Sequence, residues 1–546
     1  MSHDFSKFKQ ALEALDAYVE LVHAAVYKRT VRDGKLDPSL ADTEQRVMHG
    51  YAWVSSTATA LHALLEWAET LNAANKLTEV ETLTLDIGFA EYLSQISSGV
   101  AMGQNEVVRP YEFNLTKEAA EFALTPAVTD CINTGSTKEK RRALAEYCRD
   151  GRFASEESGD EFIDAARQQY RRFTDERIVP HAHQWHLDND LIPDDTVAEL
   201  AELGTFGVCI PEEFDGLGQG KLVMSIVTEE LSRGWIAAGS LGTRSEIAGE
   251  LILLGGTPEQ QQQWLPSIAT GEILPTAVFT EPDTGSDMGS LATRAVKTDD
   301  GWAIKGNKTW ITHASRSDLM TLMARSKPDE KGYAGLSMFL VPKQRGTEDN
   351  LFPNDGLSGT EIEVLGYRGM REYEIAFDDF ALGEDALLGG EQGKGFKQLM
   401  KTFEGARIQT AARAVGLARR ALELGLEYAL QRKQFKQAIF EFPRVSDKIA
   451  MMAVDIVVSR ELTYFAAREK DKGHRCDIEA GMAKLIAARA AWANADASLQ
   501  IHGGNGYALE YEISRILCDA RIMNIFEGAG EIQPQVIARG QLVSRK

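Results

Sequence analysis

One carboxylate near the end of the chain has the surroundings of a general base. Glu527, in "MNIFEGAGEIQ" at 523–533, directly follows Ile525 and Phe526 and precedes two glycines. Apolar neighbours raise the pKa of a carboxyl group and so make it a usable base. A second interpretation stays open, in which Glu527 lies near the start of the helix "GAGEIQPQVIARGQL" and only complements its dipole.

Two further segments carry residue types suited to a flat polar ligand. In "VFTEPDTGSDMGS", 278–290, Thr280 and Ser286 could donate hydrogen bonds to a polar ring or a thioester chain, although an Asp/Gly/Ser turn has the same composition. In "NKTWITHAS", Trp310 could stack on a planar cofactor while Thr312 binds it. Trp310 could equally be a core aromatic.

A glycine pair between two helical segments offers a third candidate. In "QIHGGNGY", 500–507, the backbone could admit a phosphate or a ring, or the glycines could only end a helix. Neither a Rossmann glycine motif nor a P-loop is present, so a nucleotide cofactor would need a different cradle.

The composition predicts a multidomain protein that acts on small molecules. A chain of 546 residues suggests two to four domains, and its 44% hydrophobic and 26% charged residues are typical of globular proteins. The net charge of −22 disfavours nucleic-acid partners and anionic membranes. Five dispersed cysteines without a CxxC pair indicate reduced thiols and no metal site. With neither a targeting pattern nor a membrane-spanning run, we expect a cytoplasmic protein without membrane insertion.

The hydrophobic patterns predict an α+β protein whose β part is central. Apolar residues at spacings of three and four indicate helices before and after it. Short alternating runs such as "GWAIKGNKTWIT", with an expected turn at Gly306-Asn307, indicate an antiparallel β domain. The predicted domains are a helical N-terminal extension (1–150), a helical domain (158–275), the β domain (276–390) and a C-terminal helical bundle (391–546).

Taken together, four of these segments and a fifth, "RKQF" at 432–435, carry a family resemblance. "TEPDTGSD", "KTWIT", "RKQF", "QIHGGNGY" and "FEGAGEIQ" occur in the order and approximate spacing of the acyl-CoA dehydrogenase flavoproteins, which the chain resembles from about residue 158 to its end. The resemblance implies FAD-dependent α,β-dehydrogenation of an acyl-CoA and a fold of helical domain, β domain and helical bundle. It also implies a homodimer or homotetramer, with an electron-transfer flavoprotein as the electron acceptor.

The resemblance assigns roles to individual positions. It implies that Glu527 is the base that removes the α-proton. Some branched-chain members take the base from the helix before Arg407, and here the matching residue is Ala406. Arg407 matches a position that binds the substrate's pantetheine, with Glu404 beside it. The implied FAD-binding positions are Phe279, Thr280, Ser286, Trp310, Thr312, Arg432, Phe435, Gln500, Gly503 and Gly504, of which Ser286 could contact the substrate instead.

Two histidines near these motifs have less specific interpretations. His313 stands where the family often has Asn, and we expect a local hydrogen-bonding replacement rather than a catalytic group. His502 is expected to be a packed aromatic beside the glycine loop.

Arg244 bears on the acyl group. By the resemblance it lies on a helix lining the acyl pocket, where a guanidinium needs an anion. A substrate carboxylate would supply one. The length of the chain and its helical extension of about 150 residues resemble those of family members that act on a short, branched dicarboxylic acyl-CoA, which is the substrate class that the resemblance implies. The alternative is an ion pair with Glu246 or Glu250 on the same helix, compatible with a short branched-chain substrate of the isobutyryl or 2-methylbutyryl type. A non-catalytic scaffold that kept the fold is the remaining alternative. The extension is expected to form a bundle-like domain near the active-site mouth, or to serve assembly only.

Overall fold

The computed structural model describes residues 3–543, which form two compact units. The first unit joins the N-terminal segment up to Asp164 with the C-terminal segment from Thr410 onward. The second unit is the intervening stretch, Ala165–Gln409.

The N-terminal segment is helical, as its apolar spacing predicts. Phe8, Leu12, Leu15 and Val22 share one buried face of the first helix. The helices are α1 (Ser6–Thr30), α2 (Pro38–Thr43), α3 (Gln45–Ala73), α4 (Glu79–Ser98), α5 (Thr116–Ala123), α6 (Pro126–Gly135) and α7 (Lys138–Arg149). Two short hairpins separate some of them, β1 (Val31–Arg32) with β2 (Lys35–Leu36), and β3 (Val100–Ala101) with β4 (Val107–Val108).

The second unit combines helices with a seven-stranded sheet. Its helices are α8 (Glu161–Phe173), which begins just before the unit, α9 (Val179–Asp188), α10 (Asp194–Glu202), α11 (Lys221–Gly234), α12 (Ile236–Gly255) and α13 (Pro258–Ala269). Its strands are β5 (Pro275–Val278), β6 (Arg294–Thr298), β7 (Gly301–Thr312), β8 (Leu319–Arg325), β9 (Leu336–Pro342), β10 (Leu357–Ile362) and β11 (Glu372–Leu382). The strand order is β10-β11-β7-β6-β8-β5, and β9 also pairs with β8. Most pairs are antiparallel, whereas β5 and β6 pair with β8 in parallel.

The turn expected at Gly306-Asn307 is wrong. Strand β7 runs unbroken through both residues and pairs Gly306 with Phe377 of β11. A Cβ added to Gly306, whose φ is 147°, would lie only 2.7 Å from the Thr293 hydroxyl oxygen. Glycine therefore permits close approach within the sheet at this point, and the chain reverses earlier, between β6 and β7.

The remaining elements complete the first unit. They are α14 (Gly395–Gln431), inside which the division between the units falls, β12 (Lys433–Gln434), β13 (Gln437–Ala438), α15 (Pro443–Asp471), α16 (Asp477–His502), α17 (Ile513–Ile522) and α18 (Ile532–Leu542). Helix α3 packs against α15 and α18, and the Tyr92 hydroxyl of α4 donates to Asp455 of α15 at 2.6 Å. The N-terminal helices and the C-terminal bundle thus share one core.

The predicted α+β class, with a β part between helical parts, is confirmed. The four domain boundaries stay predictions. Within residues 3–543, no helix combines the length and the apolar character needed to cross a membrane.

Candidate active site

The sheet brings four of the predicted cofactor residues together. Phe279 and Thr280 directly follow β5, while Trp310 and Thr312 lie at the end of β7. The backbone N–H of Thr309 donates to the Thr280 carbonyl at 3.0 Å, which ties the loop to the strand. We call these four residues, Phe279, Thr280, Trp310 and Thr312, the sheet wall.

Trp310 is not a core residue in this chain. Its side chain is 56% exposed, and its φ of 58° is in the left-handed region that non-glycine residues seldom adopt. A large aromatic ring left exposed on a strained backbone is typical of a binding site rather than of a packing position. The exposed ring is suited to stacking on a planar ligand.

A buried lysine supports the sheet wall from within. The Lys308 ammonium donates to the Phe279 carbonyl at 2.8 Å and to the Glu281 carboxylate at 2.9 Å. Burial lowers the pKa of Lys308 to about 8, against the opposing effect of Glu281. The lysine therefore crosslinks β7 to the loop that carries two of the wall residues.

Ser286 lies in a loop that does form a turn. Glu281 and Thr284 exchange two backbone hydrogen bonds, at 2.9 and 3.0 Å, just before it. Ser286 itself is exposed. The turn interpretation of this segment is thus correct as geometry, and it leaves the Ser286 hydroxyl accessible to a ligand.

The hydroxyl of Thr312 has a partner that the motifs did not indicate. Thr312 Oγ1 donates to Glu372 Oε1 at 2.8 Å, and the two residues face each other across β7 and β11. Burial raises the pKa of Glu372 from 4.5 to about 7, while Thr312 and the charge of Arg244 act in the opposite direction. The buried Glu372 therefore contacts the sheet wall through Thr312 and also interacts electrostatically with Arg244.

Arg244 is buried on α12, as expected for a pocket residue. Its guanidinium donates to the Tyr367 hydroxyl at 3.4 Å. The two carboxylates considered as its alternative partners both bind Lys221 of α11, Glu246 at 2.5 Å and Glu250 at 3.0 Å. Glu246 and Glu250, the two carboxylates proposed as alternative partners of Arg244 on α12, therefore each form an ion pair with Lys221.

The two predicted pantetheine residues lie on the first part of α14. Glu404 is buried, and Arg407 is partly exposed with its guanidinium 5.8 Å from the centre of the Phe403 ring. Between them, a Cβ on Gly405 would lie 2.7 Å from a Glu250 carboxylate oxygen. The glycine therefore allows this part of α14 to approach the Glu250 side chain of α12 closely.

The hydrogen-bonding role expected for His313 is wrong. Its ring is 1% exposed, and among residues 3–543 neither ring nitrogen has a hydrogen-bond partner. Burial and the charges of Arg316, Arg345 and Arg244 hold the pKa of His313 well below its usual value. The histidine is therefore a neutral, packed ring.

Glu527 belongs to the first unit and precedes its helix rather than starting it. Helix α18 begins at Ile532, and Glu527 has a left-handed φ of 51°. The Gln533 side chain donates to the Glu527 carbonyl at 3.1 Å, and Lys484 donates to the Gly528 carbonyl at 2.7 Å. These contacts hold a strained segment that lies just before the helix, so Glu527 is near the helix start without being part of the helix.

The Glu527 carboxylate has two donors on α14. Arg413 Nη2 lies 2.7 Å from Glu527 Oε2, and the Thr410 hydroxyl binds the same oxygen. Arg413 is fully buried, whereas the Glu527 side chain is 16% exposed. Sequence reasoning expected an apolar environment for this acid and missed both donors. The sequence did contain a signal for Arg413, because an arginine among the small and apolar residues of "TAARAVG" needs an anionic partner. The same argument drew attention to Arg244.

The remaining predicted cofactor residues lie on exposed parts of the first unit. Arg432 and Phe435 belong to the β12–β13 hairpin, and Phe435 is 88% exposed. Gln500, Gly503 and Gly504 are exposed where α16 ends, and Gly503 has a φ of 60°. His502 stacks on Tyr428, with ring centres 4.3 Å apart, as expected for a packed aromatic.

Family models match most of the chain. They describe the acyl-CoA dehydrogenase N-terminal domain at residues 161–272, the middle domain at 276–380 and the C-terminal domain at 393–542. The stretch before residue 161 lies outside these matches.

Individual proteins extend the comparison. The chain is 56% identical over 532 residues to a (2S)-methylsuccinyl-CoA dehydrogenase from Cereibacter sphaeroides, covering 97% of this chain and 96% of that relative. The structure of a glutaryl-coenzyme A dehydrogenase in complex with glutaryl-CoA is 31% identical, with a TM-score of 0.67, covering 71% and 98% of the two chains. A chain from a study of the electron transferring flavoprotein of Acidaminococcus fermentans is 29% identical, also with a TM-score of 0.67, covering 70% and 99%.

Proposed function

Because the chain belongs to the acyl-CoA dehydrogenase family, we propose that it oxidises (2S)-methylsuccinyl-CoA to mesaconyl-CoA, a step of the ethylmalonyl-CoA pathway. The observation that carries the substrate is the 56% identity to a methylsuccinyl-CoA dehydrogenase, which extends over the N-terminal segment as well. The enzyme is an FAD-dependent oxidoreductase.

The residues of the sheet wall fit the cofactor. The exposed Trp310 indole offers a stacking face, and the partly exposed Thr280 hydroxyl can donate a hydrogen bond to a flat ring. The open backbone at Gly503 and Gly504 suits the approach of a polar chain. Arg432 is exposed and could bind a pyrophosphate through its planar donors. When bound, FAD supplies the acceptor for the substrate's β-hydride.

Glu527 is proposed as the acceptor of the α-proton. A carboxylate held at a thioester's α-carbon can remove its weakly acidic hydrogen, provided that hydrogen bonds stabilise the charge on the thioester oxygen. At the alternative position on α14, Ala406 has no group that could take a proton. Arg407 and Glu404 are proposed to contact the pantetheine chain.

Arg244 is proposed to recognise the substrate's free carboxylate. A buried guanidinium with a phenolic neighbour provides a polar end to a short acyl pocket and would favour an anionic tail over an alkane. The alternative is a short branched-chain acyl-CoA dehydrogenase, for which Arg244 would be structural. A non-catalytic scaffold is disfavoured because Glu527 and the sheet wall are both present.

The proposal includes the enzyme's partners. An electron-transfer flavoprotein is proposed to reoxidise the cofactor, with direct reaction with oxygen as the alternative that peroxide production would reveal. A homodimer or homotetramer is proposed, since the family resemblance assigns Arg432 and Phe435 to a neighbouring subunit's cofactor. We also propose that the enzyme is cytoplasmic and binds no nucleic acid.

One experiment tests the function directly. The purified flavoprotein is mixed anaerobically with methylsuccinyl-CoA, succinyl-CoA, isobutyryl-CoA and 2-methylbutyryl-CoA, and bleaching of the flavin absorbance is followed. We expect the fastest bleaching with methylsuccinyl-CoA, and almost none with any ligand in Glu527→Gln. Preference for isobutyryl-CoA would favour the branched-chain alternative, and native bleaching in Glu527→Gln would refute the assigned base.

A further inference from the structure

A fully buried arginine contacts the carboxylate proposed as the base. Arg413 is 0% exposed, and its Nη2 lies 2.7 Å from Glu527 Oε2 and 2.9 Å from the Thr410 hydroxyl oxygen. The Arg413 guanidinium also lies 4.9 Å from the centre of the Phe526 ring. Arginine, threonine and carboxylate therefore form a closed triangle beside an aromatic side chain.

The triangle restrains the orientation of the acid. Both donors bind the same oxygen, Oε2, so rotation of the carboxylate would break two hydrogen bonds at once. The donors lie three residues apart on α14 and hence on one helix face. Their positions are fixed by a regular element, whereas Glu527 lies outside the helices and has a left-handed φ of 51°.

The triangle also restrains the charge of the acid. A guanidinium in hydrogen-bond contact favours the ionised form of a carboxylate, and it does so more strongly where water is excluded. An ionised carboxylate is the form that can accept a proton. The cost is a weaker base, because the same positive charge stabilises the anion before the proton arrives.

We propose that Arg413 is a positioning residue for the reaction, which keeps Glu527 ionised and aims its carboxylate. The inference rests on the proposed function, in which Glu527 takes the α-proton. Thr410 shares the orienting role but not the charge. The two donors can therefore be separated, because substitution of Thr410 removes a hydrogen bond only.

The test is the pH profile of kcat/KM for methylsuccinyl-CoA, measured from pH 5 to pH 9 with an artificial electron acceptor. Arg413→Gln removes the charge while keeping an amide donor, and we expect the acidic limb of the profile to move up by about one to three pH units. Arg413→Lys keeps the charge but not the planar fork. We expect its acidic limb to stay in place while kcat falls by about tenfold or more.

Thr410→Val is the matched control on the same helix face. Its acidic limb should move up by less than that of Arg413→Gln, with a lower kcat, because one hydrogen bond to the carboxylate is lost while the positive charge is kept. Flavin content and the unfolding midpoint are recorded for every variant. If Arg413→Gln gives no folded flavoprotein, the Lys and Val variants decide: a native kcat in both would overturn the orienting role.

The outcomes distinguish this inference from the proposed function. Glu527→Gln that still bleaches the flavin at the native rate would refute the base and the role of Arg413 with it. A second outcome would refute only the role of Arg413. In that outcome Glu527→Gln is inactive, while folded Arg413→Gln has the same acidic limb as the native enzyme. Combining both substitutions provides the last check, since Arg413→Gln should cause little further loss in kcat once the carboxylate is gone.

Discussion

Thr312 and Glu372 are joined by a hydrogen bond of 2.8 Å directly across strands β7 and β11. The contact places a buried acid behind a residue proposed to bind the cofactor. Burial raises the pKa of this acid to about 7, so its charge changes within the range in which the enzyme would be assayed.

The first prediction concerns stability and pH. The folded protein holds a proton on Glu372 between pH 4.5 and about 7, where the unfolded chain would release it. The stabilisation of the folded state by protonated Glu372 is therefore fully present below pH 4.5, and it is lost as the pH rises through about 7. Between pH 5 and pH 8 we expect the free energy of unfolding to fall by roughly 2 to 3 kcal/mol more in the native protein than in Glu372→Gln.

Urea unfolding at the two pH values provides the measurement. The matched control is Glu374→Gln, an exposed acid on the same strand, which should follow the native protein. Equal pH dependence in Glu372→Gln and the native protein would mean that Glu372 is ionised throughout.

The second prediction concerns the acyl group. Arg244→Gln should lower kcat/KM for methylsuccinyl-CoA by roughly a hundredfold, because truncating one partner of a buried charge pair typically costs 2–5 kcal/mol. The same variant should change kcat/KM for isobutyryl-CoA by less than about threefold, since that ligand has no carboxylate to anchor. Steady-state assays with both substrates check this. An equal loss with both would show that Arg244 supports the pocket rather than the substrate's acid.

The third prediction separates two tryptophans of the same strand. Trp310→Ala should raise the Kd for FAD by about two- to tenfold, from lost stacking, with little change in the stability of the apoprotein. Trp302 is 3% exposed in the core of the sheet, and Trp302→Phe should lower the unfolding midpoint without changing the Kd. Fluorescence of released flavin and thermal unfolding measure the two quantities. A stability loss in Trp310→Ala as large as that in Trp302→Phe would contradict a surface role.

The fourth prediction concerns the support of the sheet wall. Lys308→Met leaves the buried Glu281 carboxylate without its cation, and we expect a loss of about 3–5 kcal/mol in the free energy of unfolding. Lys305 is on the same strand, but its ion pair with Asp379 is largely exposed. Lys305→Met should cost less than about 1 kcal/mol. Denaturant unfolding of both variants is the measurement, and similar costs would show that the Lys308 contact contributes no more than a surface pair.

The sequence was sufficient for the classes of element and for the order of the motifs. Helix periodicity and short alternating runs are local properties, so the buried stripe of α1 and the strand at "GWAIKGNKTWIT" could be predicted. The prediction of a turn at Gly306 was wrong because glycine occurs both in turns and at close approaches between strands, and the sequence alone does not distinguish the two. Only the pairing of β7 with β11 distinguishes the two cases.

Contacts between residues far apart in the sequence could not be predicted from it. Arg413 and Glu527 are 114 residues apart, and Thr312 and Glu372 are 60 apart. Spacing along one element cannot indicate such pairs, and the partners come from different parts of the chain. The prediction for His313 was wrong because it rested on residue type alone. An imidazole can donate and accept hydrogen bonds, but neither ring nitrogen of His313 has a hydrogen-bond partner among the described residues.

The shared core of the first unit has a consequence for how the protein is made. Its N-terminal helices pack against α15 and α18, which lie at the other end of the chain. During synthesis these helices leave the ribosome before α15 and α18, and the whole of Ala165–Gln409 must follow before their partners exist. The N-terminal helices thus wait with part of their apolar surface uncovered until α18 has been released.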